Sequence, residues 1–303
     1  MKRAPIVAVL TLVASQAVAD PDPDSEPAPR KPDATAGEMF GGPFTSSRLF
    51  AMPVADVVGA YMFSASFDGS LLQQPGVLTS EGVFAAGFGD LAQLEYRHTE
   101  VVSVTGVDAP VPTVGVELKL PLPTSPNVPA IAIAYRQGLS RGEQFDASTV
   151  TEKVTDLYVV MRERFALAPW LTLHAGLRYS PTQISVSGGG TAKASLVLPT
   201  GGIELAMNKR ARLIAEAALV PSFTLAPSDP VIGRAVLGRF GLRWSVIPAI
   251  SLDASVGYQL DTEAADAGSG PRDLVQQWDI RLGAEVFVPW GALACRALGV
   301  FCE

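Results

Sequence analysis

Lysine, histidine and cysteine are all scarce in this chain. Six Lys stand against seventeen Arg, and the only His and Cys are His98, His174, Cys295 and Cys302. So few His and Cys leave no basis for a zinc site of the usual ligand types, and no cofactor is expected. Charged residues make up 17% of the 303 positions, against about a quarter in ordinary soluble proteins. The formal charge of −7 and pI near 5.0 argue against nucleic acid as a partner, because displacing phosphate counterions needs a basic footprint. Long hydrophobic runs are also missing: apart from part of the N-terminus, nothing approaches the roughly 20 apolar residues of a helical membrane span. Yet 48% of the residues are apolar and the mean hydropathy is +0.26. The chain is hydrophobic without a hydrophobic segment.

Lys2 and Arg3 precede an apolar stretch, and Ala17-Val18-Ala19 lies before Asp20. A charged start, a short apolar middle and a small-residue end predict a secretory signal over residues 1–19, cleaved between Ala19 and Asp20. Residues 20–52, rich at first in Pro, Asp, Glu and Ala, read as a periplasmic linker that cannot bury a core of its own. They are too few for a large plug domain or a secreted passenger. A barrel is expected over 53–290, and residues 291–303 form a tail carrying the cysteine pair. An exported chain meets an oxidising compartment, which favours a local Cys295–Cys302 disulfide over two inert thiols.

From about Val57 to Trp290 the pattern has period two, which puts successive side chains on opposite faces of a strand. Ile250, Leu252, Ala254, Val256, Tyr258 and Leu260 alternate with Ser251, Asp253, Ser255, Gly257, Gln259 and Asp261. The same alternation runs through 171–180, 113–120 and 277–288. About twelve strands follow: 57–67, 82–89, 91–102, 111–120, 129–138, 153–165, 170–186, 194–207, 211–225, 233–247, 249–260 and 274–288. Most reach the about 9 to 11 residues that a tilted membrane strand needs. Tight connections at 89–90, 166–169, 208–210 and 248 alternate with longer polar ones such as 68–81, 139–152 and 261–273. A bulge is expected near Pro199–Gly202. The fold class is all-β, an up-and-down antiparallel transmembrane barrel.

Three features favour lipid outside over water outside. The apolar face is nearly free of charge. Phe165, Trp170, Trp244 and Trp290 sit near strand ends, where an interfacial girdle belongs. The charges are mostly Arg, which suits confined pairing with carboxylates better than strongly hydrated Lys does.

With a signal, about twelve alternating strands and a last strand reading Arg281-Leu282-Gly283-Ala284-Glu285-Val286-Phe287-Val288, the chain resembles Gram-negative outer-membrane β-barrel proteins of the porin-like kind. The usual terminal aromatic is replaced by Trp290 and a tail. The resemblance implies a place in the bacterial outer membrane, with both termini in the periplasm. It implies outer-membrane lipid, lipopolysaccharide and the barrel assembly machinery as partners, with small polar solutes as candidates.

By parity, the lumen is lined by Arg97, Glu117, Arg136, Arg162, Arg178, Glu216, Arg239, Arg243, Asp253, Asp279, Arg281 and Glu285, together with Glu95, Lys119, Asp156, Arg164, Glu204 and Arg212. A turn centred on Pro248 sets Arg243 opposite Asp253, and one centred on Asn208 sets Glu204 opposite Arg212. Such pairs fix register. Two readings stand: a passive, charge-lined small-solute channel, or a structural or surface-interaction barrel whose lumen is blocked by ion pairs. A third, a lipid-modifying enzyme, would need His98 on the outer face or His174 on the inner one, with a matching Ser motif. No such motif is evident, so no catalytic residue is assigned. Gly188-Gly189-Gly190 is read as a loop tip.

Overall fold

The computed structural model describes residues 46–74, 78–103, 106–107, 111–122, 128–138, 141–145, 148–225, 230–261, 272–273 and 278–298. Ala19, Asp20 and Cys302 lie outside these.

Twelve strands form the wall: β1 Phe63–Gln74, β2 Leu78–Phe88, β3 Ala92–Ser103, β4 Val111–Lys119, β5 Ala130–Gly138, β6 Ser148–Phe165, β7 Ala168–Val186, β8 Thr191–Ala206, β9 Ala211–Leu225, β10 Val231–Ile247, β11 Ile250–Asp261 and β12 Trp278–Val288. Each pairs antiparallel with its chain neighbours, and β12 pairs with β1 (Phe63 opposite Val288, Phe67 opposite Ala284), so the sheet closes on itself. Closure removes the free edges that an open sheet exposes. The connections 89–91, 166–167, 207–210 and 248–249 lie at the same end as Phe63 and Val288, here called the short-turn end.

Parity separates the two faces. Phe67, Phe84, Leu94, Val116, Tyr135, Val159, Leu177, Phe240, Val256 and Leu282 are all exposed, while Ser66, Glu95, Glu117, Arg136, Asp156, Thr172, Arg239, Ser255 and Asp279 are buried. A soluble barrel has the reverse distribution. An exposed apolar band around a polar interior is the arrangement that lipid requires.

Four details depart from the sequence reading. First, residues 57–62 do not belong to the wall, and β1 and β2 extend through much of the predicted loop 68–81. Asp68, Ser70 and Glu81 are polar because they face the interior. Second, residues 46–52, assigned above to the linker, lie inside the barrel with 53–62. Third, β8 keeps continuous register with both neighbours through Pro199–Gly202. Irregularities fall instead at Ser70/Leu72, Arg164/Phe165 and Ser245/Ile247. Fourth, the start of the tail is a helix, α1 (Trp290–Leu298). It is joined to the chain entering β1 by a hydrogen bond from Gly291 N to Tyr61 O of 3.1 Å and by the Trp290 ring on Tyr61 and Phe63.

Candidate functional site: the barrel interior

Residues 46–62 cross the interior before the chain enters the wall. Leu49, Phe50, Met52 and Val54 pack on Ile214 of β9. Ala55 packs on Ala132 and Ala134 of β5 and on Tyr158 and Val160 of β6. Val58 and Met62 pack on Ala85 of β2 and Phe287 of β12. The segment opens with a tight turn, in which Leu49 N donates to Met52 O (3.0 Å) and Val54 N to Ser47 O (3.0 Å).

The wall reads that turn through its backbone. Phe50 N (3.2 Å), Ala51 N (3.1 Å) and Met52 N (3.4 Å) all donate to the Glu216 carboxylate, a nest of successive N–H groups around one anion. Arg243 does the converse, donating from Nη1 to Arg48 O (2.9 Å) and from Nη2 to Leu49 O (2.6 Å). Asp253, opposite in register, holds Arg243 with bonds of 2.8 and 2.9 Å. Farther along, Val58 N donates to Gln93 Oε1 (2.9 Å), and Gln93 Nε2 to Glu117 Oε2 (3.1 Å).

Close approach is built into the wall. A Cβ on Gly87 would lie 2.1 Å from Val58 O, and one on Gly202 would lie 2.2 Å from Leu49 Cδ1. Gly87 leaves room for the segment's backbone where any larger residue would clash, and Gly202 makes room for the Leu49 side chain.

The remaining charges form a chain of alternating sign. Arg136 meets Glu95 (3.1 Å); Glu95 meets Arg97; Arg97 meets Glu81 (2.7 Å). Arg48, from the internal segment, bridges Glu81 (3.9 Å) and Asp68 (3.5 Å). Asp68 then meets Arg281 (2.8 Å), Arg281 meets Asp279, and Asp279 meets Arg239 (3.0 Å). Separately, Arg178 grips Asp156 with bonds of 2.7 and 2.8 Å, and the Arg136 and Arg178 guanidinium groups lie 5.0 and 5.5 Å from the Tyr158 ring centre.

Each residue assigned to the lumen therefore has a definite place. Glu117, Arg136, Glu216, Arg239, Arg243, Asp279 and Glu285 are buried. Arg97, Arg162, Arg178, Asp253 and Arg281 are half-buried. Glu285 lies in register with Ser66 and Ser251. Lys119 and Arg162 meet Asp56 of the internal segment, and Arg164 is exposed near the short-turn end. Arg212 reaches Glu204 (2.5 Å) but not from directly opposite, as the sequence reading had it. The turn takes four residues, so Glu204 faces Ile214, and the pair forms diagonally. His174 is buried with Nε2 3.0 Å from Glu204 Oε1, while His98 lies on the outer face with Nδ1 3.5 Å from the Tyr96 hydroxyl.

Arg48, Asp56, Asp68, Glu81 and Gln93 escaped the sequence reading. One signal for an internal occupant was present: Ala130–Ala134 and Leu213–Ala215 are apolar on both faces. A wall between lipid and a polar lumen does not need this, but a wall with something apolar packed inside it does.

No family model matches the sequence, and no curated protein matches it. Solved structures match in fold. The NanC porin aligns with a TM-score of 0.51 at 12% identity over 75% of this chain and 99% of its own. The KdgM porin aligns at 0.45 and 12% over 74% and 98%, and the translocator domain of the autotransporter NalP from Neisseria meningitidis at 0.43 and 12% over 74% and 87%. At such identities the likeness is one of architecture: this chain has the closed, twelve-stranded antiparallel barrel of outer-membrane proteins.

Proposed function

We propose that the protein is an outer-membrane channel for small polar solutes, closed in the state described here by its own residues 46–58. One observation carries this reading. The interior admits a stretch of polypeptide across it, so a barrel from which that stretch withdrew would hold a passage of about polypeptide width, lined by fixed guanidinium and carboxylate groups. Paired charges of both signs make such a passage selective for small polar solutes over apolar ones. The short-turn end would face the periplasm, with the signal removed after Ala19 and with outer-membrane lipid, lipopolysaccharide and the assembly machinery as partners.

A second reading, a structural or surface-interaction barrel that never opens, draws on the specificity of the Glu216 and Arg243 clamp. Planar-bilayer recording separates the two. The full chain is expected to open rarely, and protein lacking residues 46–58 to conduct in sustained steps. If the shortened protein keeps the heat-dependent gel mobility of a folded barrel and gives no conductance, the channel reading fails.

A further inference from the structure

Asp56 is the one acid that the internal segment presents to a basic part of the wall. Its carboxylate meets Arg162 and lies 3.6 Å from Lys119 Nζ, while Arg164 follows Arg162 by two residues on the same face. The Arg162 Nε is buried and has no hydrogen-bond partner among the described residues. The acids nearby are Asp56 itself, Glu117, which is on the face of Lys119 and is engaged by Gln93, and Glu204, which is held by Arg212 and His174. Asp56 is the acid that meets both Lys119 and Arg162.

This cluster is also less enclosed than the clamp. The Asp56 side chain is 27% exposed and that of Lys119 30%, in contrast to 4% for Arg243 in the clamp on the turn. Asp56 and Lys119 thus keep part of their surface open, unlike Arg243 of the clamp. The backbone contacts that seat the segment are made by other residues, Glu216, Arg243 and Gln93, so Asp56 contributes a carboxylate where the seating does not depend on one.

We infer that Lys119 and Arg162, with Arg164 at their side, form a binding site for small carboxylate solutes, and that Asp56 occupies it as a built-in surrogate ligand. The role of this site in permeation rests on the channel reading above. Arg supplies the planar fork that matches a carboxylate, and Lys a second, movable donor. Because Asp56 is tethered, its effective concentration at the cations is of millimolar order or higher. An external carboxylate must compete with that, so the intact protein should bind it weakly.

Succinate titrated into the full chain in detergent, followed by calorimetry or ligand NMR, tests this. Asp56→Asn is expected to tighten succinate binding at least tenfold over the intact protein. Adding Arg162→Gln, or Lys119→Gln as a second variant, should reverse that gain, and neutral succinamide should bind none of them. Equal succinate affinity of intact protein and Asp56→Asn, each shown folded by gel mobility, overturns the site, as does a gain that survives both cation replacements. Conductance plays no part in this readout. A barrel that binds succinate in this pattern and never conducts retains the site and loses the channel reading, and the opposite result does the reverse.

Discussion

Near the short-turn end the interior is filled by main chain, whose N–H and C=O groups are bound one by one to Glu216, Gln93 and Arg243. Farther from those turns it is filled by side chains of the wall, joined through Arg48 of the segment into an alternating run of Arg, Asp and Glu. The two fillings differ in redundancy. Each contact on the turn has one wall partner, whereas most charges in the run have two. A barrel of this strand number can be either filled or open, and here different parts of one interior are filled by different chemistry. The part filled by a chain segment is the one that can be emptied without rebuilding the wall.

The largest expected effect therefore falls on the clamp. Arg243→Ala removes the wall partner of two carbonyls of the turn, of which Arg48 O keeps the Ser46 hydroxyl at 3.0 Å, and leaves Asp253 as a confined, uncompensated carboxylate. Breaking a buried pair from one side costs about 3–5 kcal/mol. Urea unfolding in a lipid-like environment should register that loss, and hydrogen exchange should show the amides of 50–52 losing protection before those of the wall. If residues 46–58 stay protected, Arg243 is not what seats them.

In the ion-paired part, Arg281→Met is expected to cost less. Asp279 keeps Arg239 at 3.0 Å and Asp68 keeps Arg48 at 3.5 Å, so no carboxylate is stranded. A loss of about 1.5–3 kcal/mol, the scale of a hydrogen bond to a charged group, is expected in the same unfolding measurement. A loss equal to that of Arg243→Ala would remove the distinction between the two parts of the interior.

The wall was legible in the sequence because lipid imposes one rule on every strand: alternate residues must be apolar. Ile250–Tyr258 could be assigned face by face for that reason. Arg243 and Asp253 face each other as the sequence implied, but through a one-residue irregularity at Ser245/Ile247, without which the two-residue turn would set Arg243 opposite Ala254. The register of Glu204 and Arg212 was missed because a longer turn shifted it. The internal segment was not legible. Val58 and Met62 satisfy the same apolar demand inside the barrel, against Ala85 and Phe287, that they would satisfy against lipid, so composition reads them as strand. Arg48 looked like part of a linker because its partners Asp68 and Glu81 lie on β1 and β2, next to a connection that had itself been read as longer than it is. The small residues Val83, Ala85 and Gly87, uninformative as a strand pattern, make sense once a chain segment lies against them.

The smallest effect is expected outside the barrel, at α1. It touches the chain entering β1 through Gly291 on Tyr61 and through the Trp290 ring, while Leu293 and Leu298 are exposed. We propose that Cys295 is linked to Cys302. Six residues separate them, so the loop closed by the bond lies wholly in the tail and constrains only the tail when the protein unfolds. Mass spectrometry of exported protein without reductant should find the two in one linked peptide, and free thiols would exclude the bond. Reduction should then shift wall unfolding by no more than about 0.5 kcal/mol, the range of changes remote from the core. A larger shift would mean that α1 braces the β1–β12 seam through Tyr61. The contrast that governs stability would then lie between the seam and the rest of the wall, not between the two fillings of the interior.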